Sequence, residues 1–445
     1  MRRRGTAADT RDPATAGARV RGGPAGDRTL NRPAPLRLLV EAHPGRTVAA
    51  VAVPVLLVKL ALAAGTVGTK DMLHWADFLS GVRSAGPVGV YGLTFPRSFY
   101  NHPPLMGFVL WFLNGLRDIG ITENFSIRAL ASACDVGSAF VLLALLRRRR
   151  PLLQATLAAA LLAASPVLLL VSGFHGNTDP DFVFLTLLGL HLLVDRRLPA
   201  WAGVALALAI GVKIVPVVVL PALAVYAFRR GRRTLLQLAG GFLVTFALTW
   251  GPALLTQWGP VRAHVLGYAG NGYSLWGVMQ VGHWLGDPGW VAFLDGPGRV
   301  GLVLACAVLP AITVWFRPAA LLPAVAWSLL VFLAFATTFG VQYLVWGVAA
   351  AYLVDLWWAT VYNLSAGILL AVIYNRWSGG LPWHYADPTL FTNGEKIGLV
   401  VPWAALLVSI GLATRAVVRG SGSTTGPPGG QRRIRGKHPV PSTQH

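Results

Sequence analysis

The sequence predicts an all-α integral membrane protein of about twelve transmembrane helices, with a large first outer loop containing interfacial helices. Two observations carry this. Of the 445 residues, 54% are hydrophobic and only 12% are charged, whereas soluble domains carry roughly 25% charged residues. A lipid-facing surface in place of a charged one explains both deviations. The charges are also unevenly placed. The formal net charge of +21 resides in two tails and in short clusters between apolar runs. That is the positive-inside signature rather than a basic groove, so no nucleic-acid partner is expected.

The chain divides into a disordered basic cytoplasmic tail (1–47), a transmembrane domain (48–415) and a second disordered basic tail (416–445). The first tail is Arg-, Pro- and Gly-rich, too long and too charged for the leading region of a signal peptide. The two cysteines, Cys134 and Cys306, both lie within apolar runs and offer neither a disulfide framework nor metal-ligand spacing. The Arg, Ala, Gly and Leu bias hints at a GC-rich bacterial genome.

A crossing helix needs roughly 20 apolar residues. Residues 47–67 supply the first, running from inside to outside because an Arg-rich tail precedes it. Lys59, in its outer half, snorkels or meets an interior partner. The segment NHPPLMGFVLWFLNGL is too short to span. The next run, 127–146, ends at Arg147, Arg148, Arg149 and Arg150, which should be cytoplasmic. Residues 68–126 therefore form one outer loop with an interfacial or re-entrant helix. Residues 152–172 then go out, and 182–194 return to Asp195, Arg196 and Arg197. Residues 199–220 contain a Lys-Ile-Val-Pro break at Lys213 to Pro216, and a short helix returns to Arg229, Arg230, Arg232 and Arg233. Further spans are read at 235–255, 300–316, 321–336, 341–356, 360–373 and 397–413, with outer loops at 257–298 and 374–396. Both termini fall on the cytoplasmic face of a multi-pass plasma-membrane protein.

Chemistry-bearing residues collect in three outer segments. The first holds Asp71, His74, Trp75 and Asp77, then Arg97, Tyr100, Asn101 and His102. The second holds His175, Asn177, Asp179 and Asp181. The third is spread over Arg262, His264, Tyr268, His283, Arg376, His384, Tyr385 and Asp387. Structural roles compete with chemical ones. Asp71 has the alternative of a solvated helix cap. Asp179 and Asp181 have that of N-caps, favoured for Asp181. Most of the outer tryptophans read as interfacial anchors. Asp135 sits mid-span, where a charge needs a partner; a polar group on a neighbouring helix is expected, with Arg128 the candidate, and the role reads as structural. No GxGxxG after a strand, Walker lysine, HExxH or GxSxG occurs, which argues against a nucleotide-driven pump. A transporter stays open because of the break at Lys213.

Several motifs fall in a recognisable order. KDMLHW follows the first span and FYNHPPL closes that loop. Arg128 and Asp135 share the second span. Gly176 to Asp179 reads GNTD, VKIVPVVVLP carries the break, and Gln342 to Trp346 reads QYLVW. This pattern resembles the GT-C superfamily of polytopic glycosyltransferases, including bacterial mannosyltransferases and dolichol-pathway glucosyltransferases, over roughly residues 48–415. The resemblance implies an inverting transfer of a sugar from a polyprenyl-phosphate donor to a lipid or glycan acceptor on the extracytoplasmic face. It implies a general base in the first outer loop, at Asp71 or, with looser spacing, Asp77. Arg97, His102, Arg262, His264, Arg376 and His384 are candidates for holding the phosphate or substrate. Arg262 and Arg376 lie nearest the span ends. His175, Asn177 and Asp179 are acceptor-contacting or structural. The dolichol-pathway enzymes have an HFQYN-like segment where this chain has FHGNTDPD, so acceptor contacts do not carry over. No metal or other cofactor is expected. A transporter or flippase of lipid-linked intermediates is the competing reading, although it predicts paired broken helices where one break is present.

Overall fold

A computed structural model describes residues 35–268 and 276–419. The tails at 1–34 and 420–445, and part of the expected 257–298 loop, lie outside the described residues. The described chain is helical but for one two-residue strand pair.

Helices α1 (Pro35–Ala42) and α2 (Pro44–Gly65) start before residue 48. α2 opens on a proline, whose missing N–H costs nothing in a first turn. The extended dipeptide β1 (Gly68–Thr69) leads into α3 (Lys70–Gly89). There follow α4 (Pro104–Asp118), α5 (Glu123–Leu146), α6 (Leu152–Ala163), α7 (Pro166–Leu170), α8 (Asp179–Val194), α9 (Pro199–Val212), α10 (Leu220–Arg230) and α11 (Arg232–Thr256). The later part holds α12 (Trp258–Pro260), α13 (Gly277–Leu285), α14 (Pro288–Phe293), α15 (Arg299–Phe316), α16 (Leu321–Ala334), α17 (Leu344–Val354) and α18 (Trp357–Trp377). Strand β2 (Tyr385–Ala386) precedes α19 (Asn393–Gly398) and α20 (Val400–Arg419).

Seven helical stretches among the described residues are long and apolar enough to cross a membrane. Others of the expected spans correspond to shorter pieces. The expected 199–220 span is one of them. α9 stops at Val212, a 3-10 turn runs over Val215–Val219, and α10 begins at Leu220. Pro216 cannot donate to the helical ladder, so the break follows from the sequence.

Two kinds of surface distinguish the helices. α16 and α17 are enclosed by neighbours on nearly every side. α11 and α15 instead leave Leu243, Leu248, Leu255, Val300, Leu304 and Phe316 at least half exposed. Unpaired apolar faces of that extent suit lipid rather than water. α9 and α11 pack very closely. A β-carbon on Gly203 would lie 2.1 Å from the Leu238 carbonyl oxygen, and one on Gly241 2.0 Å from that of Ala200. Small residues let the backbones approach where side chains would hold them apart.

The mid-span carboxylate is paired with a group on a neighbouring helix, as expected, but that group is Lys59 rather than Arg128. Lys59 Nζ donates to Asp135 Oδ2 at 2.6 Å, and Ser172 Oγ donates to the same oxygen at 2.5 Å. Lys59 and Asp135 are both buried. Arg128 is seven residues from Asp135 on one helix, about 10 Å along the axis, and it engages carbonyl oxygens instead.

Candidate active site

Three chain segments meet at the ends of α2 and α5. β1 pairs in parallel with β2, Gly68 opposite Tyr385 and Thr69 opposite Ala386. The amides of Val67 and Gly68 both donate to the His384 carbonyl. This fastens the first outer segment to the third. The second is fastened by Thr69 Oγ1, which donates to the His175 carbonyl at 2.9 Å, and by Trp75 Nε1, which donates to that of Gly176 at 3.0 Å. Gly176 has φ of 81°, and a β-carbon there would lie 2.0 Å from Met72 Sδ. The left-handed backbone favours glycine, and any side chain there would have to displace that of Met72.

Asp71 sits in the first turn of α3, where Thr69 caps the helix by accepting from the Asp71 amide at 3.3 Å. Its side chain is 35% exposed and lines a cavity of about 1030 Å³. His175 Nε2 lies 3.0 Å from Asp71 Oδ2, and its Nδ1 lies 2.7 Å from the Tyr374 hydroxyl. A carboxylate only accepts, so Nε2 carries the proton. Nδ1 then accepts from Tyr374 when the ring is neutral and donates to it when the ring is charged. Burial pushes the Asp71 carboxyl upward, but the charge and hydrogen bond of His175, with help from His74 and Asn177, hold it below its ordinary value.

The same cavity gathers Arg97, His102, Asn177, Lys213, His264 and Tyr268. His102 stacks on Trp75 with ring centroids 4.3 Å apart. Burial, reinforced by the Lys213 charge, pushes it down to about 3, so it is neutral at physiological pH. Burial likewise lowers His74, whose Nδ1 is 3.1 Å from Ser98 Oγ. Arg97 donates to Asp77 at 2.6 Å. His264 stacks on Phe99 at 4.3 Å. Lys213 pairs with Asp179 and lies 4.7 Å from the Tyr343 ring centroid and 5.0 Å from that of Trp346. Trp346 Nε1 in turn donates to the buried Asp179 at 2.8 Å.

Other expected site residues lie elsewhere. Asp77 is not on the cavity wall, because six residues along a helix turn its side chain well away from that of Asp71. Arg262 is exposed outside the cavity. Arg376 is held by Glu395 at 2.7 and 2.8 Å and donates to Thr389. His384 borders a separate cavity of about 510 Å³ beside the end of α2. Asn177 Oδ1 accepts from the Asp179 amide at 2.9 Å, which makes Asn177 the side chain that steadies the start of α8. Asp181 does not cap that helix, contrary to expectation. The helix already starts at Asp179, and Asp181 is buried within its first turn.

Sequence reasoning placed Lys213 in a helix break but not in the site. The break itself was the signal, since it puts an ammonium at a helix end facing the cavity. Tyr374 and Arg299 carried no local signal.

Two surfaces of the cavity differ in character. Asp71, Asn177 and Lys213 contribute polar groups to its wall. Val215, Val217 and Val218 from the 3-10 turn and Val300, Val303 and Leu304 from α15 contribute apolar ones, with Arg299 at the head of that helix. Val217, Val300 and Leu304 are 40%, 58% and 56% exposed. The cavity therefore reaches the apolar outer surface of the helix bundle.

Comparison of the chain with curated proteins gives no match. Residues 101–252 match the family model described as dolichyl-phosphate-mannose-protein mannosyltransferase. The matched stretch includes the His-Pro-Pro segment, Gly176 to Asp179 and the break at Lys213, while Asp71 precedes it. Over that segment the chain is similar to a family of membrane mannosyltransferases of the GT-C type.

Proposed function

We propose that the protein is an inverting membrane glycosyltransferase that moves a sugar from a polyprenyl-phosphate donor to a hydroxyl of a lipid or glycan acceptor at the extracytoplasmic face. The observation that carries this reading is one cavity lined both by the Asp71 carboxylate and by an apolar wall that reaches the exposed apolar surface of the bundle. A lipid-linked sugar needs both together. The prenyl chain lies against Val215 to Val218 and Val300 to Leu304. The phosphate lies nearer Lys213, Arg299 and Arg97, cations that also line the cavity.

Asp71 acts as the general base. The acceptor oxygen attacks the anomeric carbon opposite the phosphate, and Asp71 takes the hydroxyl proton. The bond from that carbon to the phosphate oxygen breaks, and polyprenyl phosphate departs with the electron pair. A phosphate is already a good leaving group, so a weak base that is ionised at neutral pH suffices. His175 holds Asp71 in place, and the cations offset charge on the departing phosphate. His102, being neutral and stacked on Trp75, supports the aromatic wall rather than the phosphate.

Narrowing the apolar wall tests the reading. Val303→Trp is expected to raise KM for a long-chain polyprenyl donor several-fold more than for a short-chain analogue. Equal effects on both donors, or none, would contradict this placement of the chain.

A further inference from the structure

The buried Arg128 has a bonding pattern that the transfer reaction leaves unexplained. Its side chain is 0% exposed. Among the described residues it forms no ion pair, and the two carboxylates on its helix, Glu123 and Asp135, lie against Arg117 and Lys59. Every nitrogen of its guanidinium meets neutral oxygens. Nε donates to the Asn124 carbonyl at 2.7 Å. Nη2 donates to the carbonyls of Ala63 at 2.8 Å and Thr66 at 2.6 Å. Nη1 donates to Thr66 Oγ1 at 2.8 Å and to the carbonyls of Gly173 and Phe174, both at 3.4 Å.

These oxygens belong to two places only, apart from the residue's own helix turn. One is the last turn of α2, whose unpaired carbonyls form the negative end of the helix dipole and favour a cation. Five residues later comes Asp71. The other is the turn ending at Phe174, and the next residue is His175. One planar, multiply donating group therefore ties together the chain segments that carry both partners of the Asp71–His175 hydrogen bond. A lysine in its place offers a single nitrogen and reaches one segment or the other.

We infer that Arg128 is a positioning residue for the Asp71–His175 pair, setting the base through backbone it clamps rather than through substrate. This rests on the reading of Asp71 as the base. The titratable groups facing Asp71 are His74 on its own helix, His175, His102, Tyr268, Tyr343 and Tyr374. Arg128→Lys alters none of them and keeps the local positive charge, so in that variant a change in how Asp71 titrates reports its distance from His175.

The experiment compares full-length Arg128→Lys and Arg128→Met with wild type and Asp71→Asn in liposomes, using a polyprenyl-phosphate hexose donor. Folded fraction is measured by thermal unfolding. Per folded molecule, Arg128→Lys is expected to lower kcat about tenfold or more, as misplacing a catalytic group does. Donor KM stays within about twofold, and the acid limb of the pH profile moves upward. Arg128→Met shows the same changes more strongly. Activity that falls only with folded fraction, with the acid limb unmoved, would overturn the inference while leaving Asp71 as base. Full activity in Asp71→Asn would overturn both.

Discussion

His175 Nε2 lies 3.0 Å from Asp71 Oδ2, although 104 residues separate them in the chain. The contact joins the first outer segment to the second, and Tyr374 on the far side of the imidazole adds the third. A carboxylate held this way has a fixed direction, and it faces the cavity of about 1030 Å³.

Asp71→Asn removes the proton acceptor and nearly preserves shape. Turnover is expected to fall roughly a hundredfold or more, with expression and thermal stability little changed. Asp77→Asn breaks only a partly exposed pair with Arg97 and should cost far less. A steady-state transfer assay on both purified variants decides between the two. Normal turnover in Asp71→Asn with a collapse in Asp77→Asn would move the base by six positions.

The acid limb of the pH profile is the second test. Burial raises the Asp71 carboxyl, while His175 and its neighbours lower it more, so the native base stays ionised below its ordinary value of 3.8. Activity is therefore retained as pH falls until that depressed value is reached. His175→Leu removes the largest lowering influence and leaves burial in place, so the acid limb should shift to higher pH. Tyr374→Phe keeps the imidazole and should shift it less. An unmoved limb in His175→Leu would show that another group controls it.

The Lys59–Asp135 pair predicts a stability signature. Removing one partner leaves an uncompensated buried charge, which costs about 3–5 kcal/mol. Lys59→Met and Asp135→Leu alone should each lower the thermal midpoint in detergent markedly. The double substitution should recover most of the loss. If the double variant is as unstable as the sum of the singles, the two side chains do not act as a pair.

Much of the helical character was legible because lipid imposes long apolar runs and confines arginine to one side. The individual pairings were less so. Lys59 lies 76 residues from Asp135, and nothing in either run specifies which helices touch. Arg128 stood on the same helix as Asp135 and looked the natural partner, yet helical rise separates them and the open carbonyls of α2 claim the arginine. Asp71, His175 and Asn177 could be listed as candidates from residue type and topology. The β1–β2 pairing that brings residues 68–69 beside 385–386 could not be read from two dipeptides. Lys213 was visible only as a break in a helix, because its value to the site depends on Asp179, Tyr343 and Trp346 surrounding it.

Topology has its own test. Arg147 to Arg150 should lie inside, which puts the loop containing α3 outside. Ala85 is exposed on that helix. Ala85→Cys, in a background with Cys134 and Cys306 replaced by alanine, should react with an impermeant thiol reagent in intact cells. Labelling that appears only after permeabilisation would invert the orientation and move the site to the other face.

The donor decides the central claim most directly. The proposed site lies on the face where nucleotide sugars are not supplied, and its cavity opens toward lipid between the 3-10 turn at Val215–Val219 and α15. The measurement is radiolabelled sugar transfer by the purified protein in liposomes. Polyprenyl monophosphate sugars and the matching nucleotide sugars serve as alternative donors, with a membrane extract as acceptor. The expected result is a new glycosidic product from at least one polyprenyl donor and none from any nucleotide sugar. Product formed from a nucleotide sugar alone would contradict the account. So would movement of the intact lipid-linked sugar across the bilayer with no bond formed, which would make the protein a flippase.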